Sequence, residues 1–259
     1  MTAENAFEAI QEENQTTASA SRAPVSRRVR RVLVVGLLPV VLLLLFLQYI
    51  GVFGGNVRTV VPGRVYRSAQ LTGTHLETLL DTRGIRTVIN LRGASPDAMW
   101  YRSEQASCRA RGITHIDVAL SAVRLPPPEE LRKLLHAFDT ATYPVLFHCR
   151  GGADRSGLTG ALYLHIYERV PLEQALTSQL TWRYGHLSGR IGGFAYGQAY
   201  AMDDFFALYR RYNAGLPLRE WILTRYPAIY AQQPAALRSP GDDEAPRPSS
   251  RQLAPAGAR

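Results

Sequence analysis

The hydrophobic pattern of this chain changes period along its length. Residues 32–50 are apolar and uncharged throughout, with Gln48 the main polar interruption. From residue 60 to 167, short apolar runs alternate with amphipathic stretches. The short runs predict strands over 60–66, 87–91, 113–119 and 145–147, and spacings of three and four predict helices over 74–81, 97–111, 129–139 and 156–167. Strand and helix in alternation imply an α/β fold with a central sheet flanked by helices, and the length suffices for one core. Three further helices are predicted over 171–184, where Pro171 suits a first turn, over 194–212 and over 218–230. The second carries Phe194, Tyr196, Tyr200, Met202, Phe205, Phe206 and Tyr209, a stripe that reads as packing surface. Residues 1–31 and 232–259 have no apolar period and read as flexible tails around a domain spanning 56–231. There is no internal repeat.

The nineteen residues 32–50 would reach nearly 30 Å as a helix at about 1.5 Å per residue, enough for a bilayer core. Five arginines lie in 17–31 and two in 51–65, a bias that favours an N-terminus inside the cytoplasm. The expectation is a single-pass transmembrane helix in the inner or plasma membrane, with the domain extracytoplasmic, in the periplasm. Residues 51–55 lack the small-residue site of a cleaved signal peptide. Two cysteines in 259 residues do not make a disulfide scaffold, although Cys108 and Cys149 could pair in an oxidising compartment. The net charge of +9 comes almost wholly from arginine, with Lys133 the one lysine. Arginine suits phosphate recognition and a basic domain suits anionic lipid. No basic-aromatic array points to nucleic acid, which is not expected as a partner.

Residues 148–157, His-Cys-Arg-Gly-Gly-Ala-Asp-Arg-Ser-Gly, carry the chemistry. They lie between the buried strand at 145–147 and the helix that follows. A Gly-rich turn from a strand into a helix N-terminus aims backbone N–H groups into one bowl, above the positive end of the helix dipole, and suits a phosphate. His148, Arg150, Gly151, Gly152 and Ala153 shape that bowl. Cys149 supplies a nucleophile whose thiolate the helix terminus favours. Arg155 offers a planar fork to two phosphate oxygens as charge spreads in the transition state. Ser156 is placed to hydrogen-bond the sulfur, and His148 to brace the loop. Such a set predicts a two-step displacement through a covalent intermediate, needing no metal or cofactor. Cys108 reads as a buried packing residue. Arg67, Arg92 and Arg124 are further candidates to line the pocket.

The His-Cys-x5-Arg-Ser-Gly run resembles the signature of the cysteine-dependent tyrosine, dual-specificity and lipid phosphatases. Residues 65–70 (Val-Tyr-Arg-Ser-Ala-Gln) and 84–92 (Gly-Ile-Arg-Thr-Val-Ile-Asn-Leu-Arg) are similar to segments of the bacterial and atypical dual-specificity group. The resemblance covers residues 56–190 and implies a dual-specificity-phosphatase-like fold hydrolysing phosphomonoesters, on a phosphorylated protein or a phospholipid. A catalytically inactive phosphate-binding module is the alternative. Expulsion of the leaving oxygen needs a proton donor. Asp117, 32 residues before Cys149, stands where the family often keeps its acid, but within a predicted strand. Asp154, inside the loop, matches the aspartate to which myotubularin-type lipid phosphatases and a bacterial group acting on both phosphoproteins and phosphoinositides assign the role. Glu129 and Glu130 look like dipole complements of a first helical turn. The choice among Asp154, Asp117, Glu129 and no carboxylate donor at all stays open at this level.

Overall fold

The computed structural model describes residues 35–46, 54–186, 201–234 and 237. The chain divides into two compact units, Met1–Leu47 and Gln48–Arg259. In the first, residues 35–46 form an exposed helix within the apolar run. Among the described residues no helix is long and apolar enough to cross a membrane. The outer residues of the predicted 32–50 span, both predicted tails (but for residues 232–234 and 237), and Phe194, Tyr196 and Tyr200 lie outside the described residues.

In the second unit the elements run β1 (Arg58–Val61), β2 (Val65–Ser68), α1 (Gly73–Thr82), β3 (Thr87–Asn90), α2 (Met99–Ala110), β4 (Thr114–Asp117), α3 (Pro128–Thr140), β5 (Val145–His148), α4 (Asp154–Ile166), α5 (Leu172–Gln179), a 3-10 turn (Trp182–Tyr184), α6 (Ala201–Tyr212), α7 (Leu218–Thr224) and α8 (Tyr226–Ala231). The strand order is β1-β2-β5-β3-β4, with β1 antiparallel to β2 and the other pairs parallel. The fold is therefore α/β, with a mixed central sheet flanked by helices.

Alternation along the strands divides the core in two. Val145 and Phe147 of β5 and Ile89 of β3 join one cluster, which includes Leu131, Leu134 and Phe138 of α3 and Leu158, Leu162 and Tyr163 of α4. Leu146, Val88 and Tyr66 face the opposite way, onto Leu76 and Leu80 of α1 and Cys108 of α2. Cys108 and Cys149 thus belong to clusters on opposite faces of the sheet, and both are free thiols. Because β5 is central and wholly buried, whatever follows its C-terminal end is held rigidly.

Three predicted elements are subdivided. The strand over 60–66 is two strands, because Pro62 and Gly63 (φ +70°) turn the chain and Arg64 N–H donates to Val61 O at 3.1 Å. The helix over 171–184 stops at Gln179, where Leu180 leaves helical geometry. The helix over 218–230 breaks at Arg225, and Pro227 occupies the first turn of α8, where a missing N–H costs nothing.

Candidate active site

The loop 149–153 joins β5 to α4, and its carbonyls are tied back one after another. Arg150 O accepts from Gln70 N–H at 3.1 Å. Gly151 O and Gly152 O both accept from Asn56 Nδ2 at 3.1 Å. Gly152 O and Ala153 O accept from Arg67 Nη2 at 2.6 and 3.0 Å. With the carbonyls turned toward these braces, the loop's N–H groups turn the other way, alongside the amides of the first turn of α4, which have no intrahelical partner. Gly152 N–H donates to Cys149 Sγ at 3.2 Å, so the buried thiol sits against this row of donors.

Gly152 is at φ +67°, and a Cβ there would lie 2.7–2.9 Å from Ala69 N and Ser68 C and O. The loop therefore rests directly on the end of β2. Arg67 sits beneath it, fully buried, with Nη1 donating at 2.9 Å to both the main-chain and side-chain oxygens of Gln179. Burial lowers its pKa to about 10, against the opposing pull of Cys149, Tyr184 and Asp154, so it stays cationic at neutral pH. Arg67 thus braces the loop from below, whereas the sequence suggested it as a pocket-lining residue. The early end of α5 gains its meaning here, because a C-terminal carbonyl needs a donor and Arg67 provides one.

Ser68, His148, Asn90 and Asp117 form one register row across the C-terminal ends of four strands. His148 is buried, with Nε2 3.0 Å from Glu104, which also lies 2.8 Å from His115 Nε2 and accepts from Gln70 Nε2 at 2.7 Å. Glu104 is 1 % exposed; burial pushes its pKa up, but His148 and His115 outweigh that and hold it well below the usual carboxylate range. The signature histidine is in this way anchored to α2.

Asp117 stands two strands from His148, roughly 10 Å at ordinary strand spacing. Its Oδ1 accepts from Asn90 Nδ2 at 2.7 Å and its Oδ2 from the Tyr101 hydroxyl. Both oxygens are therefore engaged on the α2 side of the sheet. Asp154 opens α4 inside the loop and is half-buried, with Oδ1 2.7 Å from His186 Nδ1. Arg155 is buried, with Nη1 donating to Leu120 O at 3.3 Å. The Ser156 hydroxyl donates to Ser68 O at 3.4 Å. Arg92 holds Gln70 Oε1 at 3.2 Å and stacks over the Trp100 ring at 3.7 Å, beside the braces rather than in the loop. Arg124 is half-buried in the segment before α3. Glu129 and Glu130 occupy the first turn of α3, and Glu130 Oε2 accepts from Ala119 N–H at 2.6 Å. Arg150 and Gly151 are exposed at the rim.

Asn56, Glu104, Gln179 and His186 escaped the reading of the sequence. Glu104 had a signal, since it shares the buried face of α2 with Tyr101 and Cys108, where a carboxylate demands partners. Asn56, Gln179 and His186 had none, because their roles depend on contacts 95 to 128 positions away for the first two and 17 and 32 for the last. Among the described residues, no group of three or more His, Cys, Asp or Glu side chains could hold a metal ion.

A thiol at the end of a central parallel strand, below an anion cradle that opens a helix, defines a cysteine-dependent phosphatase type of site. Residues 51–171 match the model of the tyrosine phosphatase family, which indicates the cysteine-dependent tyrosine and dual-specificity phosphatase superfamily and supports phosphoester hydrolysis. No curated protein matches the sequence. Solved structures similar to the chain include TpbA of P. aeruginosa, at 24 % identity and a TM-score of 0.40 over 51 % of this chain and 76 % of that one. The catalytic core of the PP-IP phosphatase SIW14 of S. cerevisiae gives 18 % and 0.44 over 61 % and 93 %. A putative phosphatase of Shewanella putrefaciens gives 17 % and 0.44 over 64 % and 97 %.

Proposed function

We propose that the chain is a membrane-anchored phosphomonoester hydrolase working through a phosphocysteine on Cys149. The observation that carries this reading is the tying back of four consecutive loop carbonyls by Gln70, Asn56 and Arg67, which leaves a row of N–H donors around the thiol. Cys149 Sγ attacks phosphorus, the P–O bond to the leaving group breaks, and Arg155 with the loop amides holds the three remaining oxygens. Water then attacks phosphorus and the sulfur departs. Asp154 is the proton donor in preference to Asp117, whose oxygens are both committed to Asn90 and Tyr101.

The substrate is a phosphoprotein or a membrane lipid phosphate. The uncharged run 32–50 and the basic charge support a substrate at the membrane, and the five arginines in 17–31 against two in 51–65 support an extracytoplasmic catalytic unit. The test uses the full chain in detergent micelles, beside Cys149→Ser, on phosphotyrosine peptides and on micelles of a phosphorylated lipid headgroup. Release that depends on Cys149 is the expected result, and the preferred half of the panel assigns the substrate class. Phosphate binding without release from any member would overturn the enzyme reading in favour of an inactive receptor. Protease shaving of intact spheroplasts should remove the catalytic unit; its survival would reverse the topology.

A further inference from the structure

His186 is a histidine at 2 % exposure with a carboxylate at each ring nitrogen. Nδ1 lies 2.7 Å from Asp154 Oδ1 and Nε2 lies 3.4 Å from Asp203 Oδ1. A neutral imidazole donates from one nitrogen only, whereas the imidazolium donates to both. Burial opposes the charge, but the two carboxylates prevail and raise the His186 pKa to about 9. Asp154, for its part, sits in the first turn of α4 with one carboxylate oxygen against His186. The imidazolium therefore places a proton directly against the carboxyl that must give one.

We infer that His186 is a positioning residue that holds this proton for Asp154, so that the leaving group is protonated by an Asp154–His186 relay. The inference rests on the phosphocysteine reading given above. In the first step the S–P bond forms, the P–O bond breaks, and the leaving oxygen takes a proton from Asp154 as that carboxyl receives the Nδ1 proton of His186. The imidazole left behind keeps its Nε2 proton toward Asp203. In the second step water adds its hydroxide to phosphorus, the S–P bond breaks, and the water's other proton returns through Asp154 to Nδ1. No further reactant is needed.

The surroundings are arranged for this. Tyr184 O accepts from Asn56 Nδ2 at 2.8 Å, so the turn that carries His186 is pinned to the same side chain that holds the loop carbonyls. His186 N–H donates to Thr181 O at 3.2 Å, fixing the ring's approach. The charged groups facing the relay are Asp154 from α4 and Asp203 from α6, with Asp204 next to it and Arg67 of β2 acting on Asp154.

The test is kcat/KM of the full chain on aryl phosphates of rising leaving-group pKa, across pH, for wild type, His186→Gln, Asp203→Asn and Cys149→Ser. Because kcat/KM reports the first step, a relay predicts a nearly flat dependence in wild type. In H186Q the dependence becomes steep, with a loss on the order of 10²-fold on phenyl phosphate. The alkaline limb near pH 9 should vanish in H186Q. In D203N it should move to lower pH, because one of the two charges holding the proton is gone. Cys149-dependent turnover with an unchanged slope in H186Q, or an unmoved limb in D203N, would overturn the relay alone. Turnover that survives C149S would overturn the phosphocysteine reading itself.

Discussion

At the scale of single residues, the site depends on side chains that act on the backbone of the loop rather than on the reacting atoms. Gly152 shows this most directly. Its φ of +67° and the 2.7–2.9 Å that a Cβ would leave to Ser68 and Ala69 allow no side chain without moving the loop off β2. Gly152→Ala should lower stability by about 1–3 kcal/mol, the cost of a strained backbone position. It should also weaken inhibition by inorganic phosphate at least tenfold, since displacing the loop scatters its donors. A denaturant titration and a phosphate inhibition curve check both, and wild-type phosphate affinity in the variant would mean that the loop tolerates the shift. The signature residues Cys149, Asp154 and Arg155 were legible as a spacing, because their chemistry lies in one short segment. Arg67 was noticed for its charge but not for its place, since nothing in the sequence says that it lies under the loop.

At the scale of elements, α4 and α5 approach closely because α4 carries glycines at 157 and 160. A Cβ at Gly160 would stand 2.5 Å from Gln179 Oε1, the atom that accepts from Arg67 Nη1. The helix pair is therefore coupled to the loop through Gln179 and Arg67. Gly160→Ala gains intrinsic helix propensity of about 1 kcal/mol, yet it should lower both the melting temperature and phosphate affinity, because Gln179 must move. A variant that melts higher with unchanged phosphate inhibition would break that coupling. The strand–helix alternation up to α4 could be read from periodicity, since each of those elements buries one face or stripe. The subdivisions could not. Where α5 ends is decided by a guanidinium from β2, and where α8 starts by a proline inside an otherwise continuous amphipathic pattern.

At the scale of the whole molecule, two histidine–carboxylate clusters give stability a pH dependence with opposite signs. Glu104 has a lowered pKa in the folded protein, so its contribution is complete above the unfolded value of about 4.3 and is lost as pH falls below it. His186 has a raised pKa, so its contribution is complete below about 6.5 and is lost as pH rises toward about 9. The denaturation midpoint should therefore decline between pH 6.5 and 9 in wild type and decline less in His186→Gln; equal slopes would remove the His186 pair as the cause. The charge balance and the apolar run were legible in the sequence from the start, whereas the pairs that make folding pH-sensitive join α2 to β5 and α4 to α6 and exist only in three dimensions. All of these features serve one claim, that phosphate leaves its substrate on the sulfur of Cys149. The most direct measurement is acid quenching of the enzyme during turnover of an aryl phosphate, followed by mass analysis of the peptide that contains Cys149. One added phosphoryl group on that cysteine, absent from Cys149→Ser, is the expected result. Rapid turnover with no phosphoryl group on any quenched peptide, or with the group on a histidine or serine, would contradict it.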